Sequence, residues 1–407
     1  MKNNQKKWVW LVSIVVLVVV LVFVFTQDVR TYQRALQLEK SGNYQEAIAI
    51  YQTIPNYKGV ETKVKDCDYL LAKELLQAKQ YGEARKIFAQ LQGHKDSQIY
   101  VNECDYQLAM AQFEVGSYSV AQYAFAALGV YKDSATQAEE CAYQLSLALF
   151  QAGSYAAAKN TVEDLGEYDD STLTAIECDY QLAQALVKEG SFAAAKTAFE
   201  ALGEYKDSVA SIVECDYQLA LALCEVGSYE KAKSIFTALG DYKDSAVQIT
   251  ACDYQLAMEQ FNAESYVTAK ASFDGLGEYE NSKAKAVECD YQLTLALLHA
   301  GSYETAKTAF TALGEYKDSA TKVIECDYQL ALALLNAGSY GDAKTAFTAL
   351  GEYKNSIANA MECDYQFAVA QFNVGNYENA KVAFEALGEY KDSVANLAEC
   401  DVQMAET

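Results

Sequence analysis

The sequence predicts an all-α chain, a stack of helix hairpins behind one membrane-spanning helix. Three observations lead there. Cysteines fall at 67, 104, 141, 178, 215, 252, 289, 326, 363 and 400, each 37 residues after the last, without an insertion or deletion. A fixed period of roughly 20 to 50 residues marks stacked supersecondary units and not one globular core. A single proline in 407 residues, with 51% apolar content and no long polar tract, favours helix over disorder. The run WVWLVSIVVLVVVLVFVFT, residues 8–26, is uncharged, and as a helix it reaches about 28 Å, close to the ~30 Å hydrocarbon core of a bilayer.

The amino terminus therefore reads as a basic segment over 1–7 followed by a transmembrane helix over 8–26. A cleaved signal peptide has a shorter apolar region and a small-x-small site, whereas this run ends in VFVFTQD. Lys2, Lys6 and Lys7 precede the helix, against Arg30 and Arg34 after it. By the positive-inside rule that bias keeps the short end cytoplasmic and puts the long part outside, a single-pass topology. Trp8 and Trp10 sit where an interfacial aromatic belt places them.

Residues 27–399 hold ten units of 37 residues, from about Arg30 to Glu399, and 400–407 ends a lone capping helix of the kind a repeat array needs. One unit, ECDYQLALALLNAGSYGDAKTAFTALGEYKNS, shows the plan between Glu325 and Ser356. Asp318 or Ser319 caps a first helix of about 18 residues that stops near Gly338, a residue free to take the left-handed conformation of a helix end. Ser339 caps a second helix of about 11 residues, with Tyr340, Ala343, Phe347 and Leu350 at helical spacing, and Gly351 stops it. On a helical wheel the first helix carries two apolar stripes, one with Val323, Cys326, Leu330, Ala333, Leu334 and Ala337, the other with Ile324, Tyr328, Ala331 and Leu335. A helix with two apolar faces is packed on both sides, against its own partner and against the next unit.

Gly338, Tyr340, Ala343 and Phe347, with leucines in the preceding helix, form a GxYxxAxxxF run that resembles the tetratricopeptide repeat over essentially all of the chain after the anchor. It departs from that family in its 37-residue period, in lacking tryptophan in the first helix and in using an aspartate-serine turn where proline is common. The resemblance implies a right-handed α-solenoid of stacked hairpins, a scaffold for proteins or peptides with no catalysis of its own.

Spacing narrows the chemistry of the cysteines. Zinc needs about four ligands within ~2.3 Å of one point, while neighbouring units advance by ~8–10 Å, which also exceeds the ~7 Å Cα limit of a disulfide. The periodic cysteines therefore read as packing residues, and neither a metal nor a cofactor is implied. Only Cys224 is out of step. A catalytic cysteine needs a base within reach, and the two histidines, His94 and His299, serve at most two units; no enzyme is expected. Free thiols outside a cell are unusual, so the outward topology requires that burial protect them. Asp327 and its equivalents are expected to make local hydrogen bonds to a tyrosine or backbone group, although Thr31 and Ala142 take that slot in two units. The YKDS segment reads as a turn, with Tyr316 packed over the hairpin end.

The formal net charge of −24 argues against nucleic acid and anionic lipid and towards a basic partner. The residue before the periodic cysteine is acidic at Asp66, Glu103, Glu140, Glu177, Glu214, Glu288, Glu325, Glu362 and Glu399, with Ala251 the exception, and glutamine recurs from Gln107 to Gln403. In the resembling family the corresponding first-helix positions, here Glu325, Gln329, Leu332 and Asn336, line a groove. The candidate groove residues are thus Glu103, Gln107, Glu214, Gln218, Glu288, Gln292, Glu325, Gln329, Glu362 and Gln366, amides for the backbone of an extended basic peptide and carboxylates for its lysines. The competing reading is a solvated helix face on a spacer or stalk at the cell envelope that binds nothing in its groove. No N-x-S/T acceptor occurs, which fits a bacterial surface. Near-identity of ECDYQLA on every helix face records duplication and marks no site.

Overall fold

The computed structural model describes residues 2–406; Met1 and Thr407, at the outer ends of the basic segment and the capping helix, lie outside them, as do the side chains of residues 2–5, Lys2 among them, and of Glu406. Every element among the described residues is helical. The chain divides into two compact units. The first holds α1 (Lys2–Lys40), α2 (Tyr44–Tyr51), α3 (Val60–Gln77), α4 (Tyr81–Gln90), α5 (Ser97–Glu114), α6 (Tyr118–Leu128), α7 (Ser134–Gln151), α8 (Tyr155–Glu163), α9 (Ser171–Lys188) and α10 (Phe192–Leu202). The second, from Val213, holds most of α11 (Ser208–Glu225), then α12 (Tyr229–Leu239), α13 (Ser245–Asn262), α14 (Tyr266–Leu276), α15 (Ser282–His299), α16 (Tyr303–Leu313), α17 (Ser319–Asn336), α18 (Tyr340–Leu350), α19 (Ser356–Asn373), α20 (Tyr377–Leu387) and α21 (Ser393–Glu406).

Within each unit long and short helices alternate, and each packs on the helices before and after it. The long helices from α3 to α19 have 18 residues and the short ones of the second unit have 11, as the glycine spacing predicts. Gly338 stops α17 at φ +81°. There the Ser339 N–H donates to Leu334 O at 3.0 Å and the Gly338 N–H to Leu335 O at 3.1 Å, the paired bonds of a Schellman ending. Glu264 takes the same left-handed place after α13 at φ +58°, where a β-carbon costs on the order of 1 kcal/mol. Glu264→Gly should therefore raise stability by about 0.5–1 kcal/mol, read as a shift in the urea midpoint.

The core repeats hairpin by hairpin. Tyr328 and Ala331 from α17, Ala343 and Phe347 from α18, and Cys363 from the following α19 form one buried cluster, with Leu332, Leu334, Leu335 and Leu350 against its edge. Cys326 belongs instead to the preceding cluster, with Tyr291, Ala306 and Phe310. The long helix is thus packed on two sides. Three members of the predicted stripes, Ile324, Ala333 and Ala337, are exposed, and Leu332, read from sequence as groove-facing, packs inward. Burial pushes the periodic thiols up, Cys67 to about 12 and Cys104 and Cys141 to about 11, so they stay protonated packing groups at neutral pH.

Asp318 and Ser339 occupy the N-cap positions of α17 and α18, but neither side chain bonds a helix amide. The Asp318 carboxylate is drawn away by the Tyr291 hydroxyl, which donates to it at 2.5 Å. The Ser319 hydroxyl donates back to Tyr316 O at 2.6 Å.

The helix α1 departs from the expected boundary at residue 26. It is continuous for 39 residues, so the apolar segment and the first helix of the repeat region are one element. An 18-residue window of it has mean hydropathy 3.2 and none of that window is buried by the rest of the chain.

Candidate interaction surface

Three families of carboxylates recur along the repeats, and their partners differ. The first is the predicted groove family. Glu325 ends up in a closed network: its carboxylate accepts from Gln329 Nε2 at 2.8 Å and from the Tyr353 hydroxyl at 2.6 Å, and it pairs with Lys354. Glu288 does the same with Gln292 at 2.8 Å, Tyr316 at 2.5 Å and Lys317 at 2.5 Å. Glu362 binds Gln366, Tyr390 and Lys391, Glu214 binds Gln218, Tyr242 and Lys243, and Glu103 binds Gln107, Tyr131 and Lys132. All ten predicted residues are therefore brought together in pairs, with each amide serving its own glutamate one helical turn away. Each carboxylate is completed by the tyrosine and lysine of the inter-hairpin turn that follows.

The local fold places that lysine. Lys317 and Lys354 adopt left-handed backbone at φ +52° and +50°, which turns the chain into the following helix and brings the ammonium over the ring of the preceding long-helix tyrosine, 4.7 Å for Lys317 over Tyr291. Burial by itself would push the glutamates up, but the bonds from lysine, tyrosine and amide outweigh it and hold Glu103, Glu177, Glu288, Glu325 and Glu362 below the usual carboxylate range. Glu214 is held down to about 2. These charges are spent inside the protein. At Asp66 the turn supplies His94 at 3.0 Å and Lys95 at 2.6 Å in the same manner, so His94 is a turn residue standing where other units have tyrosine.

The second family is the aspartate after the periodic cysteine. Asp327 pairs with Lys307 at 2.6 Å, Asp364 with Lys344 at 2.7 Å, Asp179 with Lys159 at 2.7 Å, and Asp401 with Lys381 at 2.6 Å. The partner is a lysine of the preceding short helix, not the tyrosine or backbone group expected from sequence. Two slots in the first unit lack this clasp: Gln122 faces Ala142, and Ile48 leaves Asp68 without a cation, its carboxyl pushed up by burial. Surface grooves of about 430 and 400 Å³ open at these two equivalent places, floored by Ala126, Ala138 and Leu165 in one and Val60, Val64 and Leu91 in the other.

The third family was not singled out by sequence. It stands before the turn tyrosine: Glu167 and Glu204 in the first unit, and Asp241, Glu278, Glu315, Glu352 and Glu389 in the second. All are exposed, and apart from Glu278, which pairs with Lys283, none has an ion pair among the described residues. A signal for it existed in the sequence. The residue before the turn tyrosine is acidic in these seven consecutive units, while cation slots accompany only the other two families.

No protein-family model and no curated protein matches the sequence. Among solved structures, the TPR domain of P58(IPK) is 14% identical over 84% of this chain and 98% of its own, with TM-score 0.20. RapI in its apo form is 12% identical over 84% and 98%, with TM-score 0.17. Yeast Tom70 is 12% identical over 93% and 96%, with TM-score 0.17. The hairpin architecture rests on the helices described above and not on these likenesses.

Proposed function

We propose that this chain is a membrane-anchored scaffold for protein interaction, held by residues 8–26 with its amino terminus cytoplasmic and its repeats on the outer face of a bacterial cell, and that its charged partner is a basic protein or segment. One observation carries the reading: of the three recurring carboxylate families, two are mostly neutralised by cations of the chain itself, and the third is exposed and, apart from Glu278, has no ion pair among the described residues. Part of the chain's excess of 56 acidic over 32 basic residues is therefore displayed at the inter-hairpin turns. In the second unit successive turn acids stand about one hairpin apart, ~10 Å, a spacing that an extended lysine-rich segment spans with about three residues.

A basic segment laid on Glu288, Glu325 and Glu362 has to displace Lys317, Lys354 and Lys391, exchanging one ammonium for another. The turn acids have no such competitor. The test is binding of a fluorescent lysine-rich peptide to the detergent-solubilised full chain at 0.05 and 0.15 M salt (roughly 14 and 8 Å screening lengths). The triple variant Glu315→Lys, Glu352→Lys, Glu389→Lys should weaken binding about tenfold or more, at about 0.5–1 kcal/mol for each reversed charge. The variant Glu288→Gln, Glu325→Gln, Glu362→Gln should leave it within about twofold. If the second triple is the damaging one, the ligand lies in the first-helix groove. Indifference to both favours the other reading, a spacer or stalk, which the internally satisfied first-helix face also suits. Topology is checked separately: a carboxy-terminal tag should be removed by protease on intact cells, and protection until lysis would put the repeats in the cytoplasm.

A further inference from the structure

The eleventh cysteine has a place of its own in the repeat. Cys224 stands nine residues after Cys215, a slot filled after the other periodic cysteines from Cys67 to Cys363 by leucine or phenylalanine, as at Leu298, Leu335 and Phe372, and once by Val187. That slot packs on the periodic cysteine of the next hairpin, as Leu298 does in the cluster of Cys326 and Phe372 in that of Cys400. Cysteine in this slot therefore sets a thiol against a thiol. Cys224 Sγ lies 3.5 Å from Cys252 Sγ, both within the second unit. Cys252 is 1% exposed, and Cys224, in the last turn of α11, is partly open to solvent.

We propose that Cys224 and Cys252 are a built-in disulfide site, oxidised by a low-molecular-weight disulfide such as oxidised glutathione. The Cys224 thiolate attacks one sulfur of the reagent and expels one glutathione thiolate, leaving a mixed disulfide. The Cys252 thiolate then attacks Cys224 Sγ and expels the second glutathione. Two protein thiols are oxidised, one glutathione disulfide is reduced to two thiols, and the two protons pass to the leaving thiolates. The 3.5 Å approach suits Cys252 to the second, intramolecular step, where proximity compensates for the thiolate made scarce as burial pushes its thiol up to about 12. Bond formation asks for a sulfur approach of about 1.5 Å, to the ~2.05 Å of a disulfide. Cys224 can supply it because it sits next to the end of its helix. The bond would enclose α12 in a covalent loop and fasten α11 to α13.

The experiment uses the reduced full chain in detergent, incubated with oxidised or reduced glutathione, then denatured, alkylated, digested with trypsin and examined by mass spectrometry. The expected product is the peptide 207–231 linked to the peptide 244–270, removed by reductant, with a rise of several degrees in the unfolding temperature of the oxidised sample. Cys224→Leu installs the residue found at 298 and 335. It should fold with an unchanged reduced-state melting temperature and give no link, which separates loss of the site from loss of the fold. Three results overturn the proposal: both thiols fully alkylated after oxidation, a glutathione adduct that stalls on Cys224, or a link that survives in Cys224→Leu and so belongs to Cys215.

Discussion

Phe310→Ala is expected to cost about 3–5 kcal/mol, the largest effect of any single substitution proposed for this chain. Phe310 is fully buried, surrounded by Tyr291, Leu298, Ala306 and Cys326, with the Tyr291 ring edge-on at 6.1 Å. Truncation removes the aromatic contact and leaves a void that helices held at both ends by neighbouring hairpins close only in part. Burial of such a side chain contributes on the order of 2–3 kcal/mol, and the cavity adds the rest. Because each hairpin touches only those beside it, the damage should be local. Hydrogen exchange should show protection lost across α15 to α17 and retained in α12 and α20, with a lowered urea midpoint for the affected segment. Equal loss from α12 to α20 would mean that the second unit opens as one cooperative block.

Acid should unfold the chain through a narrow window. The carboxyls of Glu103, Glu177, Glu214, Glu288, Glu325 and Glu362 are pushed up by burial but held below their ordinary value of 4.5 by lysine, tyrosine and glutamine, Glu214 at about 2. A carboxyl whose folded value is depressed contributes stability that is whole above the unfolded value and disappears as the pH falls through the folded one. Unfolding free energy should therefore be level above about pH 5 and fall steeply from about 4.5 towards 2. Each glutamate is worth about 1 kcal/mol once screening of its half-exposed lysine is allowed for. Urea titrations across that range check it, and Glu288→Gln, Glu325→Gln, Glu362→Gln should flatten the slope and lower stability at pH 7. An unchanged slope in that variant would assign the acid lability to other groups.

Local signals carried much of the fold. Gly338 and Gly351 mark the helix ends because few other residues tolerate positive φ, and the two stripes, one through Cys326 and the other through Tyr328, give the two-sided packing directly. What the sequence did not disclose is pairing at a distance. The lysines that neutralise Glu288 and Glu325 lie 29 residues away, across a turn whose left-handed lysine no helical wheel represents. Asp318 looks like a cap until the Tyr291 hydroxyl is seen to claim it. Substitutions that travel together held the clue: where Glu is replaced by Ala251 the turn lysine has become Glu280, and Gln122 and Ala142 lose cation and anion in the same slot.

The unbroken course of α1 makes the apolar amino-terminal segment and the first hairpin a single lever. Its 39 residues contain neither glycine nor proline, the residues at which helices most readily bend, so the azimuth of α2 is tied to that of Trp8 and Trp10. One extra residue after Thr26 would turn the apolar segment by about 100° about the helix axis relative to the hairpin and lengthen the lever by about 1.5 Å. The direction in which the first hairpin faces is thus set by counting residues, as the bit of a key is set by its angle on the shaft.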